Sequence, residues 1–356
     1  MIAQLLHDCN YTLDQQYQYL LLYALHIIPF LGPYPDRDFL ASTGDDPFNR
    51  LTINDAVTRL KNLDRGTNLN LELYRELTEA LTLTDKEEAI ANTKEECSRV
   101  FKAQHLLALD LKHDASMIVK AYWLPRVKSL VTGVSMSELM FNAVSKVDRA
   151  GLRAGALALV RDFMAESPLS TSSYFFSCDL IDPAEARYKI YVLESQVDFD
   201  AIRRHWTMGG RLKGEEIEKG LEILYQLWEC LPLSTDQAGA AEVLNPDVEK
   251  SPEARTAVTR DPLALNYELR PGESEPQVKI YLPMRGLNDF AVADGMSRFF
   301  EGLGWAKYAE EYGGMAQGYL DLLHPGAELG GSGRFQSWLS FSYSARTGVY
   351  MTIYYH

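Results

Sequence analysis

Residues 185–192 read "EARYKIYV", and the alternation inside them decides what kind of sheet this chain can build. Successive side chains of a strand point to opposite faces, so Arg187, Lys189 and Tyr191 share one face, and Tyr188, Ile190 and Val192 share the other. The device returns at 277–283, "QVKIYLP", with Lys279 beside Tyr281, and at 118–125, "IVKAYWLP", with Lys120 beside Tyr122. With 14 lysines and 20 tyrosines in 356 residues, chance spacing yields about one Lys-x-Tyr; the chain holds three, all in extended stretches. Lysine and tyrosine are both acceptable on a solvent-facing strand, so any single pair settles nothing. Each of these strands also has a strongly apolar opposite face, such as Val119, Ala121 and Trp123, or Val278, Ile280 and Leu282. If helices cover the apolar face, the polar face must line something else.

Working outward, helical and extended patterns alternate. Helical spacing runs over about 13–28, ended by Pro29, from Thr84, where a cap precedes acids, over 135–167 as one or two helices, and from 214, with Ile217, Leu221, Leu224 and Trp228 on one stripe. A further pair covers 288–303 and 306–322. Between them lie "NLNLELY", "HLLALDL", "MIVKAYWLP", "SSYFFSCDL", "ARYKIYVL", "LALNYELR", "QVKIYLP", "SWLSFSYS" and "GVYMTIYYH", which read as strands. Short turns such as "LKHDAS", "IDPAEA" and "SARTG" give hairpin spacing and antiparallel pairing. The fold class expected is α+β, one antiparallel sheet with helices over one face, in a single domain spanning 1–356. The polar, alanine-rich stretch 235–262 reads as a long surface connection within that domain.

Composition narrows the function. The formal net charge of −14 opposes binding to nucleic acid or to an anionic membrane. Cys9, Cys97, Cys178 and Cys230 lie far apart with no CxxC pairing, as expected of free thiols filling the core of a cytoplasmic protein. The apolar run "YLLLYALHIIPFLG" is broken by His26 and Pro29, falls short of the roughly 20 residues of a membrane span, and lacks the basic flank of a signal peptide. The seven histidines show no HExxH or paired spacing, so no metal is called for, and there is neither a GxSxG elbow nor a P-loop.

A sheet of this kind must close or expose its edges, and in a closed barrel the polar face becomes the lumen. A lumen lined by Lys120, Arg187, Lys189 and Lys279 is costly to desolvate without a matching anion, which points to a phosphate or diphosphate. Tyrosine faces beside those cations stabilise a carbocation by about 0.5–2 kcal/mol each. A substrate that separates into an anion and a carbocation fits both halves of that site, and allylic diphosphates do this.

Several stretches together resemble a known family. "KAYWLP", "DLIDPAEARYKIYV", "PQVKIYLPMRGLND" followed by "FFEGLGW", the closing "SFSYSARTGVYMTIYYH" and the opening "NYTLDQQYQYLLLYALHIIPFLGP" are similar to the fungal aromatic (indole) prenyltransferases of the dimethylallyltryptophan synthase family, over nearly the whole chain. The resemblance implies a closed antiparallel barrel of about ten strands, built from α-α-β-β repeats and surrounded by helices. It implies metal-independent transfer of a prenyl group, without a cofactor, from an allylic diphosphate (dimethylallyl or longer) to a small electron-rich aromatic acceptor in secondary metabolism such as alkaloid biosynthesis. A homodimer is left open. The diphosphate-binding pattern carries onto Lys120, Arg187, Lys189 and Lys279, with Tyr122, Tyr191 and Tyr281 beside them, and the family's C-terminal cation shield falls on Tyr350 and Tyr354.

The acceptor side departs from the family pattern. Where a Pro-x-Glu-x-Ser stretch supplies a glutamate to the indole N–H, this chain has "DPFNRLTIN", with Asn49 or Arg50 in its place. An arginine expected further on is replaced by Asn68, no clear lysine to serve as acceptor base is found near "HLLALDL", and no catalytic base is identified. Asn49 is the acceptor-binding candidate. Two alternatives follow: metal-independent cyclisation of a prenyl diphosphate in the same barrel, or a non-catalytic isoprenoid-binding relative. "DDPFN" at 45 and "NDAVTRLKN" at 54 look superficially like cyclase magnesium motifs, but they lie nine residues apart and the second ends in Asn62, so they read as a loop and a helix cap.

Overall fold

The computed structural model describes residues 2–27, 54, 57–58, 60–61, 68–100, 102–114, 116–233, 242–243, 259–323, 326 and 335–355. Two helices open the chain, α1 (Ile2–Asp8) and α2 (Leu13–Leu22). Thr12 caps α2 reciprocally with Gln15, and a π-helical turn, Tyr23–Ile27, follows. Four units of helices followed by a hairpin come next. The first has α3 (Leu71–Leu81), α4 (Asp85–Ala91), α5 (Glu95–Ser98), β1 (His105–Leu111) and β2 (Met117–Trp123). The second has α6 (Arg126–Thr132), α7 (Met136–Val147), α8 (Ala154–Glu166), β3 (Thr171–Asp179) and β4 (Tyr188–Glu194). The third has α9 (Phe199–Trp206), α10 (Glu215–Cys230), β5 (Leu263–Leu269) and β6 (Gln277–Pro283), and the last has α11 (Asp289–Gly302), α12 (Ala306–Leu323), β7 (Gln336–Ser344) and β8 (Gly348–Tyr355).

All eight strands form one sheet in sequence order, each pairing antiparallel with the next. The helix-covered face is the core: Val119, Ala121, Trp123, Phe176, Tyr188, Ile190, Val192, Leu265, Tyr267, Ile280, Leu282 and Phe341 are all buried there in one apolar cluster that runs from Leu6 to Phe341. Close packing of helix on sheet is visible at Gly220 in α10, where a Cβ would lie 2.5 Å from the Trp206 ring and 3.1 Å from Cβ of Tyr343. Arg153 and His205, both sealed on this side, find polar partners. Arg153, fully buried, donates to Asp148 at 2.9 Å and to the Pro183 carbonyl at 2.7 Å, with its guanidinium 4.2 Å from the Tyr188 ring centre. His205 lies 2.7 Å from the Tyr267 hydroxyl and 3.1 Å from Glu194, which also accepts from Thr171 and Arg204.

The opposite face is concave. Tyr122, Tyr191, Tyr281 and Tyr354 stand on β2, β4, β6 and β8, two strands apart at each step. Backbones two strands apart are separated by about 9.6 Å, yet successive ring centroids are only 6.2, 6.1 and 6.1 Å apart. Side chains closer together than their strands mean a sheet bent toward that side. The sheet is thus curled into a half-barrel.

The closed ten-stranded barrel expected from the sequence is met only in part: among the described residues the main sheet has eight strands, and β1 and β8 form no ladder with each other. A separate two-residue parallel ladder joins 242–243 to 259–260. One expected strand is a helix. "NLNLELY" alternates over six residues, but Leu73, Tyr74, Leu77 and Leu81 continue at helical spacing and are buried together in α3, and the Asn70 side chain accepts the Leu73 N–H at 2.9 Å as an N-cap. The longer period and the cap outweigh a short alternation. The remaining eight extended stretches are all strands. The α2 helix ends sooner than read, passing into the π turn at Tyr23. Of the cysteines, Cys97 and Cys178 are buried, Cys230 is half-buried and Cys9 is exposed, so Cys9 is no core filler. Asn49 and most of 235–262 lie outside the described residues.

Candidate active site

The concave face has an order that follows from strand register. Tyr122 pairs with Ser177, Tyr191 with Asn266, and Tyr281 with both Ala264 and Ser340. Short side chains at Ser177, Asn266, Ala264 and Ser340 leave room between these three rings as the sheet bends, whereas Leu106 lies opposite Tyr122 on its other side and Trp338 opposite Tyr354. Phe175 stacks on Tyr191 at 4.1 Å and meets Tyr122 edge-on at 5.7 Å. Asn266 donates to the Tyr281 hydroxyl at 3.0 Å. Tyr191 is buried, Tyr122 is half-buried, and Tyr354 and Tyr350, on the terminal strand, are 39% and 56% exposed. Tyr350 stands outside the row of four rings; its contact is with Lys279, whose Nζ lies 4.6 Å from its centroid and 5.8 Å from that of Tyr281.

The four basic side chains singled out in the sequence meet one step along the same face. Lys189 lies opposite Ser177 and Glu268, and Lys279 opposite Asn266. Three carboxylates hold three of them. Lys120 reaches Asp110 at 2.9 Å, Arg187 reaches Asp179 at 2.7 Å, and Glu268 receives Lys189 at 3.1 Å and Arg270 at 2.6 Å, with Arg187 at 3.9 Å. Lys112 also pairs with Asp110 at 2.9 Å. Among the described residues, Lys279 makes no ion pair. Cations outnumber carboxylates, so the face carries a positive surplus inside a chain of net negative charge.

The ionisation of these groups follows from their surroundings. Burial is the largest influence on Lys279, and the charges of Lys189, Lys120 and Arg187 add to it, bringing its pKa down to about 8 despite Glu268. Burial opposes ionisation of Glu268, but Lys189, Arg187 and Arg270 overcome it and hold its pKa at about 2. Burial pushes Tyr191 up to about 12 and raises Tyr122, Tyr281 and Tyr354 as well; neighbouring phenols add to the rise at Tyr122 and Tyr281, while the hydrogen bond with Tyr281 works against it at Tyr191 and Tyr354. The rings are therefore neutral at physiological pH, presenting π faces rather than phenolate nucleophiles.

Chemically, a cation cluster of this kind can take up the charge of a leaving anion, and the adjoining rings can screen a carbocation. The structure brings Lys120, Arg187, Lys189, Lys279, Tyr122, Tyr191, Tyr281 and Tyr354 onto one surface, with Tyr350 at its rim. Asn68 is exposed just ahead of α3. Sequence reading missed Glu268, Arg270, Asp110, Asp179, Asn266 and Phe175. A signal for part of this was present in "LALNYELR", where Asn266, Glu268 and Arg270 alternate as Lys-x-Tyr does; Asp110 alternates with Ala108 in "HLLALDL".

Comparison with known proteins agrees with this geometry. The tryptophan dimethylallyltransferase family matches residues 1–41 and 37–315. Roquefortine prenyltransferase roqD of Penicillium rubens is 33% identical over 390 aligned residues, covering 100% of this chain and 89% of its own. Deoxybrevianamide E synthase notF of an Aspergillus species is 31% identical, covering 100% and 85%. A crystal structure of NotF in complex with brevianamide F and DMSPP superposes with a TM-score of 0.81 at 30% identity, covering 100% of this chain and 91% of that one. With a cation cluster and a row of neutral tyrosines on the concave face of a matching fold, the chain belongs to the tryptophan dimethylallyltransferase family and is an aromatic prenyltransferase.

Proposed function

We propose that the chain transfers a dimethylallyl group from its diphosphate to the indole ring of a tryptophan-derived acceptor. The observation that carries this reading is the meeting of Lys120, Arg187, Lys189 and Lys279 with the Tyr122, Tyr191, Tyr281 and Tyr354 row on one bent face. In this reading the cations bind the diphosphate and stabilise it as the C–O bond breaks, an electrostatic role in which preorganised groups are effective. The tyrosines, with Tyr350 at the rim, keep water from the allylic cation while the electron-rich ring attacks. The choice of indole draws on the substrates in the relatives' names, and the cytosol as the place of reaction draws on the four free thiols. Among the described residues, no helix is long and apolar enough to cross a membrane.

Incubation with dimethylallyl diphosphate and a panel of tryptophan, brevianamide F and phenolic rings tests this. The expected result is an acceptor heavier by one isoprenyl unit in the indole reactions, with diphosphate released in step. Prenylation confined to phenols would refute the indole assignment, and diphosphate release with a hydrocarbon product and no acceptor would replace it with cyclisation.

The Lys279 pKa gives a pH prediction. A bound diphosphate, a polyanion, favours the protonated lysine, so binding takes up a proton in the window from about 8 toward the ordinary lysine value. Affinity for inorganic diphosphate should fall as pH rises through that window, and Lys279→Arg, charged throughout, should flatten the fall. Calorimetry in two buffers of different ionisation enthalpy reads the proton uptake directly; a pH-independent affinity would remove Lys279 from the site.

A further inference from the structure

We infer that Glu268 is a built-in competitor of the diphosphate: its carboxylate occupies cations that the donor must take over, and its release toward Arg270 sets donor affinity and the ease of diphosphate departure. This rests on the reading of the concave face as the diphosphate site.

The geometry is specific to Glu268 among the three carboxylates. Asp110 and Asp179 each hold one of the four cations singled out, Lys120 at 2.9 Å and Arg187 at 2.7 Å. Glu268 is forked. One oxygen lies 3.1 Å from Lys189 and 3.9 Å from Arg187, and the other lies 2.6 Å from Arg270, two residues further along its own strand. Its side chain is only 10% exposed, and register sets it directly across from Lys189. An anion settling between Lys189 and Arg187 therefore meets a fixed negative charge unless that carboxylate turns to its second partner. Protonation gives no relief, because the same cations hold Glu268 ionised down to about pH 2.

The arrangement also has a use in the donor-free protein. Clustered, partly desolvated cations repel one another, and Glu268 offsets that repulsion when no diphosphate is there. When the product diphosphate loosens, Glu268 can re-form its contact with Lys189, which speeds departure where product release limits turnover.

The test is Glu268→Gln, which removes the charge and keeps the shape, with calorimetric titration of inorganic diphosphate at pH 7, where Lys279 remains protonated. Binding should tighten by about tenfold, KM for dimethylallyl diphosphate should fall, inhibition by added diphosphate should strengthen, and kcat should not rise. If Glu268 only held Lys189 and Arg187 in position, the same variant would bind diphosphate more weakly, so weakened or unchanged affinity overturns the inference. Arg270→Met gives an independent check of opposite sign: with its second partner gone, Glu268 holds Lys189 harder and diphosphate binding should weaken. Lys189→Ala separates the diphosphate site from the competitor role of Glu268. If that variant binds diphosphate as well as the parent protein, the site reading itself has failed; if it loses binding while Glu268→Gln changes nothing, only the competitor role has.

Discussion

Replacing Lys189 and Lys279 together by alanine lowers kcat/KM for the allylic diphosphate at least about a thousandfold, since one preorganised charge-stabilising donor typically contributes 10²–10³ and paired groups do not add fully. The fold survives the change. Glu268 keeps Arg270 at 2.6 Å and Arg187 at 3.9 Å after Lys189 is lost, so no carboxylate is stranded. Lys279 is in a different position, because its charged form is disfavoured in the folded protein: its pKa drops from 10.5 to about 8, chiefly through burial. A base with a depressed folded pKa costs stability at all pH values below that pKa, and the cost fades as pH climbs from about 8 to 10.5. Lys279→Met should therefore raise the thermal unfolding midpoint at pH 7 while abolishing turnover. That combination, a more stable and inactive variant, is the mark of a group kept for chemistry rather than for the fold. A double alanine variant that retained turnover and a native circular dichroism spectrum would end the assignment.

Replacing Tyr191 by alanine has the next largest effect, and on what is made as well as how fast. Tyr191 is the centre of the aromatic row, 6.2 Å from Tyr122 and 6.1 Å from Tyr281, with Phe175 stacked against it at 4.1 Å. Losing its face removes cation stabilisation of about 0.5–2 kcal/mol, up to roughly thirtyfold in rate, and opens a path for water. The expected outcome is slower prenylation with a larger share of the donor appearing as prenyl alcohol. Tyr191→Phe keeps the ring and should keep most of the coupling between diphosphate release and acceptor prenylation. The ratio of alcohol to prenylated acceptor, measured by chromatography, separates the two variants. Equal losses in both would show that the hydroxyl, and not the ring face, is what operates.

Lys189, Lys279 and Tyr191 were legible from the sequence for one reason. A strand imposes a period of two whatever its neighbours are, so Lys189 and Tyr191, or Lys279 and Tyr281, must share a face, and the buried Ile190 and Ile280 must share the other. Eight of the nine stretches expected on the same ground to be strands are strands. The exception, 68–74, shows where local reading stops: a few alternating leucines fit a strand, but Asn70 and the spacing through Leu81 fit a helix, and packing chose the helix.

The sequence by itself determined the faces, the antiparallel hairpins and the residue types that could bind an anion and quiet a cation, because these are properties of neighbouring residues. The curvature that draws rings from four separate strands within about 6 Å of each other was decided by tertiary structure. So were the choice of Asp110, Asp179 and Glu268 as counter-ions and the depression of the Lys279 pKa. Each of these depends on contacts between residues far apart in the chain, and on desolvation that exists only once the sheet has bent and the helices have closed over its other side.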